Sequence, residues 1–217
     1  MWIRILPALS LSVLLAQAPP PARDAKADTV LKLHLKARGG VAKLKALKSL
    51  RISGQQLLLP AERGIPWRME QARPNRFREE ITVQGMVEVH TFNGAEGWTR
   101  IPWAPDLKLK PMTAEQISVL RESHFDDPWL EALEGPVQLQ YQGTSFFNRV
   151  PVYVVSLRLG PGDELVGHFD QEFGLEIMRE RVHRELGTER KVRTEFQEWR
   201  MVEGVAFPFE VTTRAMG

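Results

Sequence analysis

Residues 90–103 read HTFNGAEGWTRIPW, a stretch built around one tight turn. Asn93-Gly94 is a strong hairpin signal, because the favoured two-residue turn requires a positive φ at both positions and this pair tolerates it. The flanking residues, Gly85–Phe92 and Gly97–Ile101, alternate in the manner of strands. The stretch therefore predicts an antiparallel hairpin with two tryptophans just past its turn.

The same two-residue period continues on both sides of this hairpin, interrupted by Pro, Gly or Asn-Gly at short intervals. Such spacing predicts about ten or eleven strands paired in chain order, because short connections join antiparallel neighbours. The expected strands are Leu50–Leu59, Pro66–Arg73, Asn75–Val83, Gly85–Phe92, Gly97–Ile101, Val137–Gln142, Pro151–Leu159, Glu164–Asp170, Gly174–Arg184, Glu189–Met201 and Val205–Thr212. Residues 104–110 are expected to form a loop.

Helical spacing of apolar residues is confined to the start and the middle of the chain. Asp28–Ala37 and Val41–Leu47 precede the strands, and Thr113 with Gln116 resembles a capping box ahead of a second helical region that includes Pro128–Leu133. An antiparallel sheet of this size curls. We therefore expect a mainly β (α+β) fold, a curved antiparallel half-barrel whose concave face is covered by the N-terminal and mid-chain helices.

The N-terminus is typical of an exported protein. Residues 1–18 combine a positive start, the apolar run Ile5–Ala16 and a small-x-small cleavage pattern, and the run is too short to span a bilayer. A membrane anchor is the alternative, and Pro19 directly after the cut leaves the cleavage point open. Residues 19–26 are then a Pro-rich spacer, and residues 27–217 form a single domain.

Composition excludes several classes of function. The chain is 43% apolar and 26% charged with a formal net charge of +2, which is ordinary for a globular protein and too small a surplus to indicate nucleic-acid binding. It has no cysteine, which excludes disulfides, thiolate metal sites, cysteine nucleophiles and lipid attachment at an N-terminal cysteine. We expect a monomer that is soluble after cleavage.

No motif indicates catalysis. The five histidines form no metal-binding spacing, and no GxSxG or phosphate-binding glycine loop is present. His124–Asp127 and His168–Asp170 echo each other, and a hydrolase using these His/Asp pairs is one alternative. Polar residues at the ends of elements, where they cap turns, explain the same pattern. We therefore expect no enzyme activity, no catalytic residue, no metal site and no cofactor.

Large apolar residues on strand faces and candidate helices exceed what one thin core needs. Packing of sheet against helix is one interpretation. The other is a cavity lined from both sides and suited to acyl chains, where each buried CH₂ contributes roughly 0.8 kcal/mol. The candidate lipid-binding residues are Trp67, Met69, Phe77, Ile81, Trp98, Ile117, Leu120, Phe125, Trp129, Phe169, Phe196 and Phe207. In this hypothesis Trp98 lies on the inner wall and Trp103 at the mouth.

Five segments, in order, resemble the LolA/LolB-like outer-membrane lipoprotein-sorting proteins. They are residues 37–54 (ARGGVAKLKALKSLRISG), 74–80 (PNRFREE), 92–98 (FNGAEGW), 150–157 (VPVYVVSL) and 199–208 (WRMVEGVAFP). The resemblance implies a periplasmic fold in which a curved sheet surrounds a lipid-binding hollow with a helical lid. Characterised carriers of this family take lipoproteins from an inner-membrane release complex to an outer-membrane acceptor without a cofactor.

The resulting expectation is a periplasmic, non-enzymatic carrier, a transport chaperone that binds acyl chains of lipoproteins or lipids in a hydrophobic half-barrel. The lid would open at a membrane or partner and close again without covalent chemistry. The alternative is a sensor or scaffold of the cell envelope with the same fold, which binds lipid or protein without transporting it. The identity of the cargo is left open.

Overall fold

The computed structural model describes residues 23–57, 64–122, 125, 127–185 and 188–216. The helices are α1 (Ala25–Ala37), α2 (Val41–Ala46), α3 (Ala114–Glu122) and α4 (Pro128–Glu134). The strands are β1 (Ser49–Leu57), β2 (Gly64–Ala72), β3 (Arg76–Val83), β4 (Met86–Phe92), β5 (Gly97–Arg100), β6 (Lys110–Pro111), β7 (Gln138–Phe147), β8 (Val150–Gly160), β9 (Asp163–Asp170), β10 (Glu176–Glu185), β11 (Thr188–Val202) and β12 (Val205–Met216). The expected signal peptide, residues 1–18, lies outside the described residues.

The strands form two antiparallel six-stranded sheets, each in chain order. The N-sheet is β1-β2-β3-β4-β5-β6, and the C-sheet is β12-β11-β10-β9-β8-β7. The expected mainly β, open, antiparallel architecture with few helices is confirmed. The strands are divided between two sheets because residues 112–137, which contain α3 and α4, separate β6 from β7, and only short connections keep consecutive strands paired. No helix in the described ranges is long and apolar enough to cross a membrane.

All eleven expected strands are present, and β6 is the additional one. It has only two residues and begins at Lys110, within the segment expected to be a loop. The expected hairpin between β4 and β5 is confirmed, but its turn differs from the expectation. Gly94 has a φ of 103°, whereas Asn93 is not among the residues with positive φ. Asn93 instead accepts hydrogen bonds of 2.9 Å at Oδ1 from the backbone N–H groups of Ala95 and Glu96.

The start of the N-terminal helix is held to the end of α4 by hydrogen bonds. Asp24 caps α1, whose first residue, Ala25, lies inside the segment 19–26 that was expected to be a spacer. Arg23 precedes the cap and donates hydrogen bonds of 2.7–3.1 Å to three backbone carbonyls at the end of α4, those of residues 132, 133 and 135. The first described helix therefore begins before residue 27.

The principal core lies between the C-sheet and helices α1 and α4. Its buried members are Ala27, Val30, Leu31, Trp129, Ala132, Leu139, Val155, Leu157, Leu165 and Phe169. None of these side chains is more than 5% exposed. A second, smaller buried cluster joins α1, α2, α4 and the start of β12 through Leu35, Leu44, Leu130 and Val205. The expectation that N-terminal and mid-chain helices cover one face of the sheet is thus met at the C-sheet.

Candidate lipid-binding site

The inner face of the N-sheet carries several large apolar side chains. Residues paired directly across antiparallel strands share a face, and Trp67 pairs with Ile81 while Phe77 pairs with Phe92. Leu50 lies on the same face through its pairing with Gln71, and it contacts the same small cavity as side chains of the C-sheet half. This face therefore points toward the C-sheet, and we call it the inner face.

The inner face of the N-sheet is packed less completely than the core of the C-sheet. Trp67, Met69, Phe77 and Ile81 are all half-buried, as is Ile52 beside Met69. By contrast, the principal core side chains against the C-sheet are fully covered. Large apolar residues that stay half-exposed on a face directed inward favour a binding surface.

A polar band crosses this apolar face. The indole Nε1 of Trp67 donates a 2.7 Å hydrogen bond to Oε1 of Glu79. Glu79 pairs across the strands with His90, whose Nε2 lies 2.8 Å from Oε1 of Glu88 and whose Nδ1 lies 3.2 Å from the Thr99 hydroxyl. These hydrogen bonds satisfy polar atoms among apolar neighbours and orient the Trp67 ring.

Helix α3 supplies the expected mid-chain helix. The Thr113–Gln116 capping box is confirmed, because each backbone N–H donates to the other side chain, at 2.8 and 3.2 Å. Ile117 and Leu120 are half-buried on α3, and the side-chain amide of Asn75 donates to the Leu120 carbonyl at 3.3 Å. The helix is therefore held to the turn that connects β2 and β3 of the N-sheet.

Arg73 joins two parts of the structure beside this helix. Its Nε donates to the Leu47 carbonyl at 2.7 Å and its Nη2 to the Leu44 carbonyl at 3.3 Å, at the end of α2. Its guanidinium carbon lies 5.0 Å from the centroid of the half-buried Phe125 ring. A guanidinium over an aromatic face is an attractive contact. Arg73 thereby connects α2 to the segment between α3 and α4.

A cavity of about 40 Å³ marks the junction of the two halves. It is lined by Arg38, Leu44, Leu47, Leu50, Phe125, Asp127, Leu130 and Phe207. One water occupies roughly 30 Å³ in the liquid, and ligand pockets span roughly 300–1,000 Å³. This cavity is thus too small to contain an acyl chain.

Trp98 lies on the other side of the N-sheet. It pairs with Thr91, which pairs with Arg78, whereas Phe77 and Phe92 point to the inner face. The hypothesis that Trp98 forms part of the inner wall is therefore corrected, because alternate residues of a strand point to opposite faces. Trp103 follows β5 in the segment before β6, and 54% of its surface is exposed.

Trp129 and Phe169 belong to the principal core. Both are 0% exposed, and their rings meet edge to face with centroids 5.2 Å apart. Phe196 and Phe207 are half-buried on the C-sheet, each beside an arginine: Arg179 lies 5.1 Å from the Phe196 ring and Arg38 lies 5.8 Å from the Phe207 ring. The structure thus brings Trp67, Met69, Phe77 and Ile81 together and separates Trp98, Trp129 and Phe169 from them.

A buried ionic cluster adjoins the small cavity. Asp127 forms a salt bridge with Arg38 and lies 3.7 Å from Nε2 of His34, a fully buried imidazole. Burial alone raises the pKa of Asp127, but His34, Arg179 and Arg38 outweigh burial and hold this pKa well below its ordinary value. The carboxylate also accepts the backbone N–H of Trp129 at 2.9 Å, which caps α4. This helix cap agrees with the interpretation of residues 124–127 as polar residues at the end of an element.

A second buried ion pair lies on the other side of Trp129. The side chain of Glu176 is 2% exposed, and it forms a bidentate salt bridge with Arg179 while accepting the Trp129 indole N–H at 2.9 Å. Burial tends to lower the pKa of Arg179, and the Glu176 charge more than compensates, so this pKa is raised. Sequence reasoning missed both ion pairs. Arg38 and Asp127 are 89 residues apart in the chain, and Glu176 and Arg179, although three residues apart, come beside Trp129 only in the fold.

The structure describes only part of the two His/Asp pairs. His124 and Asp126 lie outside the described residues. Asp170 accepts the backbone N–H groups of Glu172 and Phe173 at 2.7 and 2.9 Å, so its carboxylate caps a turn. Burial lowers the pKa of His168, which is on the same strand. Within the described ranges, no group of three His, Cys, Asp or Glu side chains is arranged to hold a metal ion.

Comparison with known proteins identifies the architecture. No protein-family model matches the sequence, and no curated protein matches it. Among solved structures, a domain assigned to outer membrane lipoprotein sorting from Vibrio parahaemolyticus is 12% identical, with a TM-score of 0.54 over 87% of this chain and 86% of that chain. A LolA superfamily protein from Nitrosomonas europaea is 11% identical, with a TM-score of 0.51 over 86% of this chain and 84% of that chain. At this level of identity the likeness concerns the fold, and the chain has the fold of the LolA-like lipoprotein-sorting proteins.

Proposed function

We propose that the protein is a periplasmic, non-enzymatic carrier that binds acyl chains of lipoproteins or lipids between its two sheets. The observation that carries this proposal is the set of half-buried apolar side chains on the inner face of the N-sheet. Trp67, Met69, Phe77 and Ile81 remain partly exposed there although they face the interior. The similarity in fold to lipoprotein-sorting proteins supports the same assignment.

The proposed site is narrower than the set of twelve candidate residues. The wall consists of the four inner-face residues, and Ile117, Leu120 and Phe125 of the mid-chain segment form the cover. Phe196 and Phe207 lie at the C-sheet side of the junction. Trp129 and Phe169 are left out of the proposed site, since both are fully buried in the principal core. Trp98 has no place in this site.

Binding in this proposal requires movement of the cover. The cavity of about 40 Å³ beside Phe125 has no room for a chain, so α3 and the segment that follows it must move away from the N-sheet. Each CH₂ that then leaves water contributes roughly 0.8 kcal/mol, which offsets the cost of opening when the chain is long. No covalent step is needed, and release requires a partner or membrane that offers a competing apolar surface.

Two neighbouring residues of β3 provide a matched test. Ile81 pairs with Trp67 on the inner face, whereas Thr82 pairs with Val87 on the other face, and both are half-buried. Ile81→Asp places a charge in the proposed acyl site, and Thr82→Asp places the same charge outside it. We expect the first variant to lose binding of a fluorescent fatty acid about tenfold or more and the second to retain it. Equal binding by both variants would contradict the site.

The cargo is best identified from the native protein. Gentle purification from periplasm, solvent extraction and mass spectrometry should reveal a stoichiometric lipid or lipopeptide. A protein that carries nothing and binds no apolar probe would contradict the proposal. Transfer of bound ligand to acceptor membranes then separates a carrier from an envelope sensor, because a sensor binds the ligand without releasing it to them.

A further inference from the structure

A groove of about 510 Å³ lies on the outer face of the N-sheet, the face opposite the proposed acyl site. Its lining follows the strand register. The residues that line the groove form cross-strand rows, each made of residues that pair with one another across neighbouring strands. Two of these rows point to the outer face, and the backbone of the inner-face row between them forms the floor of the groove. Ser49, Ala72 and Thr91 are small and leave the groove open, while Arg51 and Arg78 lie in one cross-strand row, one on each side of Glu70.

The charged residues of the groove are three arginines and one glutamate. Arg51, Arg76 and Arg78 lie on β1 and β3, and Glu70 lies between them on β2. Neighbouring strands are about 4.8 Å apart and alternate residues about 7 Å apart, so three long cationic side chains surround one small area. The lining therefore has an excess of two positive charges.

The single carboxylate of the groove is already paired. Glu70 accepts from Arg68 at 2.5 Å and from Arg51 at 2.9 Å. The hydrogen bond from Arg68 and the charges of both arginines lower the pKa of Glu70, so it stays ionised and holds Arg51 in place. Arg78 forms its own salt bridge with Glu80 at 2.5 Å. These salt bridges orient the guanidinium groups of Arg51 and Arg78 in the groove.

Arg76 differs from its neighbours. Among the described residues it has no hydrogen-bond or ion-pair partner, although it lines the groove. The hydroxyl of Ser49 likewise has no partner in the described part of the chain. A free guanidinium, a free hydroxyl and two oriented arginines together present unused donors around a space of ligand size.

We propose that this groove binds a phosphate group. A guanidinium presents a planar fork of donors that matches the oxygens of a phosphate, and several such forks around a compact site favour a tetrahedral anion. An extended acidic peptide would need cations spaced along its length. The proposed site is separate from the acyl site, because Phe77 and Arg78 point to opposite faces, so it does not depend on the proposed function.

The test uses glycerol 3-phosphate, which has no acyl chain and therefore no affinity for the apolar face. Titration at constant ionic strength, followed by amide NMR, should give saturable shifts at Ser49, Ala72 and Thr91. Arg76→Ala should weaken binding about tenfold, the effect expected from loss of one charge-assisted contact. Arg158→Ala, which removes an exposed arginine from β8 of the C-sheet, should leave it unchanged.

A second variant tests the shape of the groove without changing its charge. Ala72→Leu fills part of the groove and should weaken binding as strongly as Arg76→Ala, while the fatty-acid affinity of both variants stays at the wild-type value. The absence of saturable shifts, or equal effects of Arg76→Ala and Arg158→Ala, would overturn the proposal.

A competition arm distinguishes two sources of the phosphate. Phosphatidylglycerol vesicles that displace glycerol 3-phosphate from the wild-type groove indicate a lipid headgroup. Phosphatidylglycerol vesicles that do not displace it indicate a soluble phosphate ester. Both results support phosphate as the chemistry of the groove. The Ile81→Asp variant should retain phosphate binding, so failure of the acyl site and failure of this groove are measured independently.

Discussion

Phe77 and Arg78 are adjacent in sequence and point to opposite faces of the same sheet. Phe77 meets Phe92 across the strands on the inner face, and Arg78 meets Thr91 on the outer face. One strand thus contributes an apolar residue to the proposed acyl site and a cation to the proposed phosphate groove. The period of two in a β-strand is the physical reason that one segment serves two surfaces.

The placement of the tryptophans predicts which one senses a bound chain. Trp67 lies on the inner face and Trp98 on the outer face. A brominated fatty acid should quench the fluorescence of the wild-type protein. This quenching should fall in Trp67→Phe, because the sensing ring is gone, and persist in Trp98→Phe. Steady-state fluorescence measures both, and the reverse result would place the chain on the wrong face of the sheet.

The surroundings of Gly167 predict how the principal core responds to added side-chain volume. A Cβ there would lie 2.4 Å from Cζ2 of Trp129 and 2.8 Å from the Phe169 ring. We expect Gly167→Ala to lower the free energy of unfolding by about 1–3 kcal/mol, because two buried rings must shift. Gly160→Ala is the matched control, since nothing lies within 4 Å of its Cβ position. Chemical denaturation compares the two, and equal stability would show that the rings move freely.

Asp127 predicts a specific dependence of stability on pH. Its folded-state pKa lies below the ordinary value of 3.8, so its contribution is complete above that value and is lost as pH falls through the folded-state pKa. Asp127→Asn keeps the cap on α4 and removes the charge beside Arg38. We expect a loss of about 3 kcal/mol at pH 7, from an uncompensated buried cation. The difference from wild type should shrink in denaturation curves below pH 4, and a constant difference would contradict this role.

A comparison of Trp129 and Trp199 measures how much one buried hydrogen bond contributes to stability. The Trp129 N–H donates to Glu176, whereas the buried Nε1 of Trp199 has no partner among the described residues. Trp129→Phe should therefore destabilise the protein by about 2 kcal/mol or more, because Glu176 loses a donor inside the core. Trp199→Phe should cost about 1 kcal/mol or less, since it removes an unsatisfied donor. Thermal unfolding of both variants measures the contrast.

The strands were predictable because their signals are local. Period-two alternation and turn residues located eleven of the twelve strands, and the Thr113–Gln116 capping box correctly marked the start of α3. Strand β6 was not predicted, because a strand of two residues is too short to show a two-residue alternation. The Asn93-Gly94 pair located its hairpin correctly, but Asn93 acts as a hydrogen-bond acceptor for the turn, a role that competes with the positive-φ conformation.

The candidate site was only partly predictable. Trp67 and Trp98 both lie in segments that were predicted to be strands, yet a shift of one residue in a strand exchanges inward and outward faces. The two-residue alternation therefore identified apolar residues on strands, but it did not decide which of them lie on the same face of the sheet. Asp127 was interpreted only as a polar residue near the end of an element, and its ion pair with Arg38 joins positions 89 residues apart.

By itself, the sequence determined the strand and helix segments, the open antiparallel class of the fold and the absence of cysteine chemistry, because each depends on residue type and short-range spacing. The tertiary structure decided that the strands divide into two sheets, that Trp129 and Phe169 lie in a solid core, and that Trp98 points away from the inner face. It also placed Arg51 and Arg76 around one groove. These outcomes depend on strand register and on contacts between distant segments, which no local pattern specifies.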